Sequence, residues 1–204
     1  MQYSFHIYNK IASDGITMAC EELLRAHFQK RLLSKKQNGM DFESPVVVCV
    51  GSDLAIGDSL GPITGSMLKY KTQGLKTFVY GTLASPVTAK EIRYMRAFLK
   101  ETHPHSPVIA IDAAVGVEGD IGLMKLYDSP LFPGAGANKK LGAIGDISIM
   151  GIVAEKSVAN FGLLNTTRLN LVYTMAEQLS DAVSALLWER ASRAKKTVLD
   201  GKST

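Results

Sequence analysis

Two runs of apolar residues constrain the fold of this chain more than any other feature. Residues 46–50 read Val-Val-Val-Cys-Val, and residues 107–113 read Pro-Val-Ile-Ala-Ile-Asp-Ala. Continuous apolar runs of this length are typical of strands covered on both faces. Between them lie a helical pattern at 59–71, a strand pattern at 77–81 and a second helical pattern at 87–101. Strands that alternate with helices in this way predict an α/β fold with a parallel sheet.

The rest of the chain adds elements at both ends of this core. Apolar residues at helical spacing predict an amphipathic helix over residues 13–36 and a long closing helix that should pack on the sheet. Shorter strands are predicted at 122–127 and 146–153. At 204 residues we expect a single domain, with residues 1–44 as a helical extension and residues 194–204 as a flexible tail.

Charge and cysteine content narrow the class of protein. Residues 45–184 carry 12 Lys/Arg and 12 Asp/Glu, so the net charge of +4 comes from the ends of the chain. We therefore expect no direct contact with nucleic acid, which requires clustered cations. Two cysteines give no disulfide framework, which fits a reducing cytoplasm. The sequence shows neither a secretion signal nor an apolar stretch of membrane-spanning length.

Two aspartates follow predicted strands and are the candidate catalytic residues. Asp58 lies in the glycine-rich turn of residues 51–62, and Asp112 ends the apolar run that begins at residue 107. Open α/β sheets place their sites at the carboxyl ends of the strands, where two such side chains could converge. In one pocket their repulsion would raise one pKa, giving an acid and a base for hydrolysis. Alternatively, Asp58 caps a helix N-terminus and Asp112 caps a turn.

Other chemistries fit the sequence less well. The turn at 51–62 matches neither a dinucleotide fingerprint nor a P-loop. A divalent metal held by the two aspartates would need a third ligand such as histidine. No histidine follows His105, and we expect His103 and His105 in a surface turn. No GxSxG elbow is present, and Cys49 lies mid-strand without an evident histidine partner. We expect no metal and no cofactor.

A glycine-rich loop over residues 128–142 is the candidate substrate-binding segment. Loops of this length inside a compact domain are usually functional. Gly134, Gly136 and Asn138 are the candidate substrate-binding residues, and Lys139 and Lys140 could bind substrate carbonyls or carboxylates. Alternatively, Gly134 and Gly136 indicate only that the loop is flexible.

Several segments together resemble a known family. In chain order they are residues 51–62, 79–83 with 86–87, 109–113, 133–138, 145–153 and 165–169. This ordered set resembles the YyaC-type sporulation proteins of endospore-forming bacteria, over residues 45–185. That family is similar to the germination proteases, which degrade spore proteins, and more remotely to the hydrogenase maturation endopeptidases. The resemblance implies their phosphorylase/hydrolase-like, three-layer αβα fold with a mainly parallel central sheet.

The resemblance also implies a function. In germination proteases the matching segments carry two essential aspartates, which correspond to Asp58 and Asp112. Hydrogenase endopeptidases bind the nickel of their substrate with equivalent acidic positions and a later histidine, which this chain does not have. We therefore expect a sporulation-associated peptidase that acts on a protein or peptide substrate, such as spore proteins. We expect it in the cytoplasm of the developing spore or mother cell. The alternative is a non-catalytic sporulation protein that binds a peptide or protein partner. The sequence leaves the oligomeric state open.

Overall fold

The structure is a computed structural model that describes residues 1–34, 44–134, 142–156 and 167–200. Its strands are β1 (Gln2–His6), β2 (Val46–Cys49), β3 (Phe78–Tyr80), β4 (Val108–Gly116), β5 (Leu123–Tyr127) and β6 (Ile147–Glu155). Its α-helices are α1 (Ala12–Ser34), α2 (Leu60–Lys71), α3 (Ile92–Thr102) and α4 (Leu169–Asp200). Short 3₁₀ turns at Gly57–Ser59 and Glu118–Asp120 precede α2 and β5.

The strands form one six-stranded sheet in the order β1-β5-β6-β4-β2-β3. Strand β2 pairs in parallel with β3 and β4, and β4 pairs in parallel with β6. Strand β5 runs antiparallel to both of its neighbours, β1 and β6. Because β5 alone is reversed among these six strands, the predicted mainly parallel sheet is confirmed.

Helices cover both faces of the sheet, so the predicted three-layer αβα arrangement is also confirmed. Successive residues of β2 point to opposite faces, as the period of a strand requires. Val47 and Cys49 pack in the larger core, which contains buried residues of α1, α2 and α4. Val46 and Val48 pack in the smaller core, with Ile92 and Leu99 of α3. All four β2 side chains are buried, which explains their unbroken apolar sequence.

The first 34 residues contribute to the sheet as well as to its helical cover. Strand β1, which the sequence did not predict, pairs with β5 from Gln2–Tyr127 to His6–Leu123. Helix α1 buries Leu23 and Leu24 completely in the larger core, and burial of each such side chain stabilises the fold by about 1.5–3 kcal/mol.

Helix α4 closes the same face and extends to Asp200, into the stretch where the sequence predicted a flexible tail. Its N-terminal half carries the predicted apolar stripe, including the fully buried Val172, Leu179 and Val183. Within the described ranges, no helix combines the length and the apolarity needed to span a bilayer.

Candidate functional site

Asp112 lies inside β4, at the point where the neighbouring strand β2 stops. The β2–β4 register ends at the pair Cys49–Ile111, whereas β4 continues beside β6 as far as Gly116–Glu155. The sequence predicted that this strand ends at residue 113. The carboxyl group reaches the edge of the sheet because β2 ends there, and not because β4 does. By alternation, Asp112 shares the α3 face of β4 with Val108 and Ala110.

Asp58 lies in the 3₁₀ turn between β2 and α2. A hydrogen bond holds this turn near the end of β2, because the Ser52 backbone N–H donates to the Asp58 carbonyl oxygen at 3.1 Å. The N-cap residues of the 3₁₀ turn and of α2 are Ile56 and Ser59, without a side-chain cap at either. Asp58 is therefore not the helix cap that its position in the sequence allowed.

Glycines permit the close approach that brings Asp58 to the end of β2. Gly51 has φ +141°, and a Cβ there would lie 2.2 Å from the Asp58 carbonyl oxygen. A Cβ on Gly61 of α2 would lie 1.9 Å from the Val50 carbonyl oxygen. Side chains at either position would push the turn and α2 away from the sheet, because real Cβ contacts are not that short.

The 3₁₀ turn that carries Asp58 contacts β4, so the structure places the two aspartates near each other. Burial raises the pKa of Asp112 well above its ordinary value, and the nearby charge of Asp58 raises that pKa further. The Ala113 backbone N–H, which donates to Asp112 Oδ1 at 2.8 Å, acts in the opposite direction on this pKa. Asp112 is only 8% exposed, so its ionised form is poorly solvated.

Asp58 is more accessible than its partner. Burial raises the pKa of Asp58 as well, while a hydrogen bond from the Ser52 backbone lowers it. Removing a proton from one carboxyl makes it harder to remove the proton from the other. The pair can therefore hold one protonated and one ionised carboxyl, which is the arrangement needed for acid/base chemistry. Their catalytic role stays a prediction.

The segment of residues 81–87 lies beside the end of β2, which the turn of Asp58 follows. It leaves the end of β3 at Gly81 and returns to the end of β2, where the Gly51 N–H donates to the Val87 carbonyl oxygen at 3.0 Å. Ser66 of α2 holds the segment in place by accepting a hydrogen bond from the Leu83 N–H at 2.9 Å. Leu83 of this segment is 45% exposed, and Leu54 in the turn that carries Asp58 is 90% exposed, so both present apolar side chains to solvent.

The candidate substrate loop is described only in part. Gly134 adopts φ +73°, a conformation that favours glycine. Before it, Leu131 bridges to Ile144 and is buried in the smaller core. Gly136 and Asn138, like Lys139 and Lys140, lie outside the described residues. Substrate binding by Gly134, Gly136 and Asn138 stays a prediction.

The expectation for His103 was wrong. Instead of lying in a surface turn, His103 is 8% exposed, and its Nε2 pairs with the Tyr80 hydroxyl at 2.8 Å. The rings of Phe78 and Phe98 pack around it. His105 is exposed, as expected. Across the described ranges, no group of three or more His, Cys, Asp and Glu side chains converges.

Sequence reasoning did not identify the two backbone groups that act on the aspartates. Hydrogen bonding from the Ser52 backbone lowers the pKa of Asp58, and hydrogen bonding from the Ala113 backbone lowers the pKa of Asp112. Every residue except proline carries such a donor, so no residue pattern could have marked these two positions in advance.

Comparison with known proteins places the chain in a family. The family described as "Protein of unknown function (DUF1256)" matches residues 17–182, a range that includes both aspartates. The chain belongs to the DUF1256 family. It is similar to a protein of Bacillus subtilis (strain 168) named "Uncharacterized protein YyaC". The two are 42% identical over 139 residues, which cover 68% of this chain and 67% of the relative.

A solved structure also shows a likeness to the chain. The [NiFe] hydrogenase maturation protease HycI from Thermococcus kodakarensis KOD1 aligns with a TM-score of 0.46 and 17% identity. The alignment covers 72% of this chain and 94% of that protein. A likeness at this level says nothing about activity, which has to be argued from the residues of this chain.

Proposed function

We propose that this DUF1256 protein is a peptidase in which Asp58 and Asp112 hydrolyse a peptide bond without a covalent intermediate. One observation carries this proposal: Asp112 is buried in β4 beside the turn that carries Asp58, so that burial and the charge of Asp58 both raise its pKa. Two carboxyls with this coupling supply a proton donor and a proton acceptor at the same place. They lie beyond the carboxyl end of β2, where open α/β sheets bind their ligands.

The environments of the two carboxyls assign their roles. Asp112, the more buried, has the more strongly raised pKa and is the general acid. Asp58 is ionised more readily and is the general base. Asp58 takes a proton from water as the water oxygen bonds to the carbonyl carbon of the substrate. Asp112 then donates its proton to the amide nitrogen as the carbon–nitrogen bond breaks, and solvent exchange restores both carboxyls.

The substrate is a protein or peptide in this proposal. Leu54, in the turn that carries Asp58, and Leu83 are exposed apolar residues, and they suit an extended polypeptide with apolar side chains. The resemblance to germination proteases extends the proposal to spore proteins as substrates and to the cytoplasm of the developing spore or mother cell. A protein that only binds such a partner is the alternative.

Cleavage can be tested directly by mass spectrometry of protein termini. Purified wild-type protein and the Asp58→Asn/Asp112→Asn double variant would each be incubated with extract from sporulating cells. We expect new N-termini with the wild type and none with the double variant. The Asp53→Asn variant is the matched control, because Asp53 is an exposed aspartate of the same turn, and it should produce the wild-type termini.

Identical termini with wild type and double variant, in an extract shown to contain spore proteins, would overturn the peptidase proposal. Stoichiometric retention of an intact extract protein by both would then favour the binding alternative. Circular dichroism of each variant establishes that loss of cleavage is not loss of folding.

A further inference from the structure

A concave site lies where β1 and β6 end and α4 begins. Its volume is about 380 Å³, near the lower end of the roughly 300–1,000 Å³ typical of small-ligand sites. Neither Asp58 nor Asp112 lines it. Val153 and Ala154, which do, belong to the larger core on the α4 face, whereas Asp112 faces α3. The cavity is therefore separate from the aspartate pair.

One wall of the cavity is apolar. Ile7, Ile121 and Leu171 contribute aliphatic side chains to it. Tyr8, a residue that is 84% exposed, also lines the cavity, and its ring lies 5.1 Å from the ring of His6. A small aliphatic group could be buried against this wall, and burial of such a group is favourable by about 0.8 kcal/mol per methylene.

The polar part of the lining is dominated by one cation. The exposed side chain of Arg168 lines the cavity immediately before α4, beside Thr167. His6 also lines it, but both of its ring nitrogens contact the backbone: Nδ1 accepts from the Tyr8 N–H, and Nε2 pairs with the Ile121 carbonyl oxygen, each at 3.3 Å. Arg168 is thus the group suited to an anion, and its guanidinium matches a carboxylate with two parallel hydrogen bonds.

Glu155 limits which anion the cavity can accept. Glu155 also lines the cavity, and its negative charge would repel a ligand with several negative charges, such as phosphate. A carboxylate next to a peptide bond suits both the positive Arg168 and the negative Glu155. Arg168 can bind the carboxylate, and Glu155 can accept a hydrogen bond from the amide N–H. Thr167 and Arg168 belong to residues 165–169, one of the segments on which the family resemblance rests. Neither residue has a role in the hydrolysis proposed for Asp58 and Asp112.

We propose that this cavity binds the C-terminal residue of a polypeptide that ends in an aliphatic side chain. Arg168 holds the α-carboxylate, the apolar wall takes the side chain, and Glu155 accepts the N–H of the last peptide bond. The volume accommodates one or two residues, so the cavity recognises the end of a chain and not an internal segment. This site does not depend on whether Asp58 and Asp112 catalyse hydrolysis.

Calorimetric titration with short peptides tests the site. The probes are N-acetyl-Ala-Leu with a free carboxylate, the same dipeptide as its C-terminal amide, and inorganic phosphate. We expect the acid to bind at least about tenfold more tightly than the amide, because a charged hydrogen-bonded pair is lost in the amide. Phosphate should not compete. The Arg168→Gln variant should lose the preference for the acid, whereas Arg25→Gln, at an exposed position of α1, should keep it.

NMR chemical-shift mapping locates the binding independently of its strength. The acid should perturb the amide signals of Ile7, Tyr8 and Leu171 in the wild-type protein. Equal affinities for the acid and the amide, an unchanged preference in Arg168→Gln, or no binding of the acid at about 10 mM would each overturn the proposal. Perturbations confined to another surface would also overturn it.

Discussion

The charge of Asp58 raises the pKa of the Asp112 carboxyl, in addition to the larger effect of burial. These two residues are 54 positions apart in the sequence and lie on different elements, a 3₁₀ turn and a strand. Their coupling exists because β2 stops at Cys49 and the chain turns back toward β4 through Gly51. The protonation state of each aspartate therefore depends on the presence of the other.

The coupling predicts that Asp58→Asn lowers the pKa of Asp112. Asparagine has a similar shape but no charge, so the repulsion is removed while burial continues to hold this pKa above its ordinary value. Carbon-13 NMR titration of the Asp112 carboxyl would measure the change. The control is Asp53→Asn, which should leave the Asp112 titration unchanged. An Asp112 pKa that is the same in Asp58→Asn and in the wild type would show that the two charges do not interact.

Burial of Asp112 predicts a pH-dependent cost to stability. Because its pKa is higher in the folded than in the unfolded protein, Asp112 contributes fully to stability below the unfolded value, about 3.9. That contribution is lost as the pH rises through the folded pKa. Asp112→Asn should therefore become more stable relative to the wild type as pH rises, by up to about 1.4 kcal/mol per pH unit in this window. Urea unfolding between pH 4 and 8 would measure the difference, and a pH-independent difference would contradict the prediction.

The proposed mechanism predicts a bell-shaped dependence of kcat/KM on pH. Activity should rise as Asp58 loses its proton and should fall as Asp112 loses its own. Since both pKa values are raised, both limbs of the profile should lie above the ordinary pKa of aspartate. The two apparent pKa values that the profile gives describe the coupled pair and not the individual residues. Initial rates with a cleaved peptide would give the profile. A rate that stays constant from pH 4 to 9 would contradict these roles.

Close packing of α2 against β2 predicts that Gly61→Ala is destabilising. The added Cβ would lie 1.9 Å from the Val50 carbonyl oxygen, so α2 and the preceding Asp58 turn would have to move. Overpacking of this kind costs about 1–3 kcal/mol, and kcat/KM should fall with it. Gly119→Ala is the control, because a Cβ there has no neighbour within 4 Å, and we expect it to stay within about 0.5 kcal/mol of wild type. Equal stability of the two variants would show that α2 adapts without cost.

The elements that the sequence predicted are those with strong local signals. The apolar runs of β2 and β4 identified the centre of the sheet, because burial on both faces leaves a continuous pattern. Strand β1 has a mixed sequence, Gln-Tyr-Ser-Phe-His, and is stabilised by pairing with β5 more than 115 residues later in the chain. Helix α3 begins at Ile92 instead of residue 87, since Thr88 and Glu91 form a hydrogen-bonded turn before it.

For the candidate site, the sequence predicted that Asp58 and Asp112 lie near each other, but it did not predict how the fold changes their pKa values. The rule that sites lie at the carboxyl ends of parallel strands was sufficient to predict that Asp58 and Asp112 lie at the same end of the sheet. The burial of Asp112 depends on where β2 ends relative to β4, which is a property of the tertiary register. Likewise, the burial of His103 depends on rings from β3 and α3 that come together only in the folded protein.

The pair formed by Tyr80 and His103 predicts that Tyr80→Phe is destabilising. Phenylalanine preserves the ring packing with Phe78 and Phe98 but removes the hydroxyl that lies 2.8 Å from His103 Nε2. The ring nitrogen would then be largely buried without this partner, which costs about 1–3 kcal/mol. Tyr94→Phe, at an exposed position of α3, is the matched control and should change the free energy of unfolding by less than about 0.5 kcal/mol. Urea unfolding measures both variants. If Tyr80→Phe matched Tyr94→Phe in stability, the hydrogen bond would contribute nothing and the ring packing alone would hold β3 against α3.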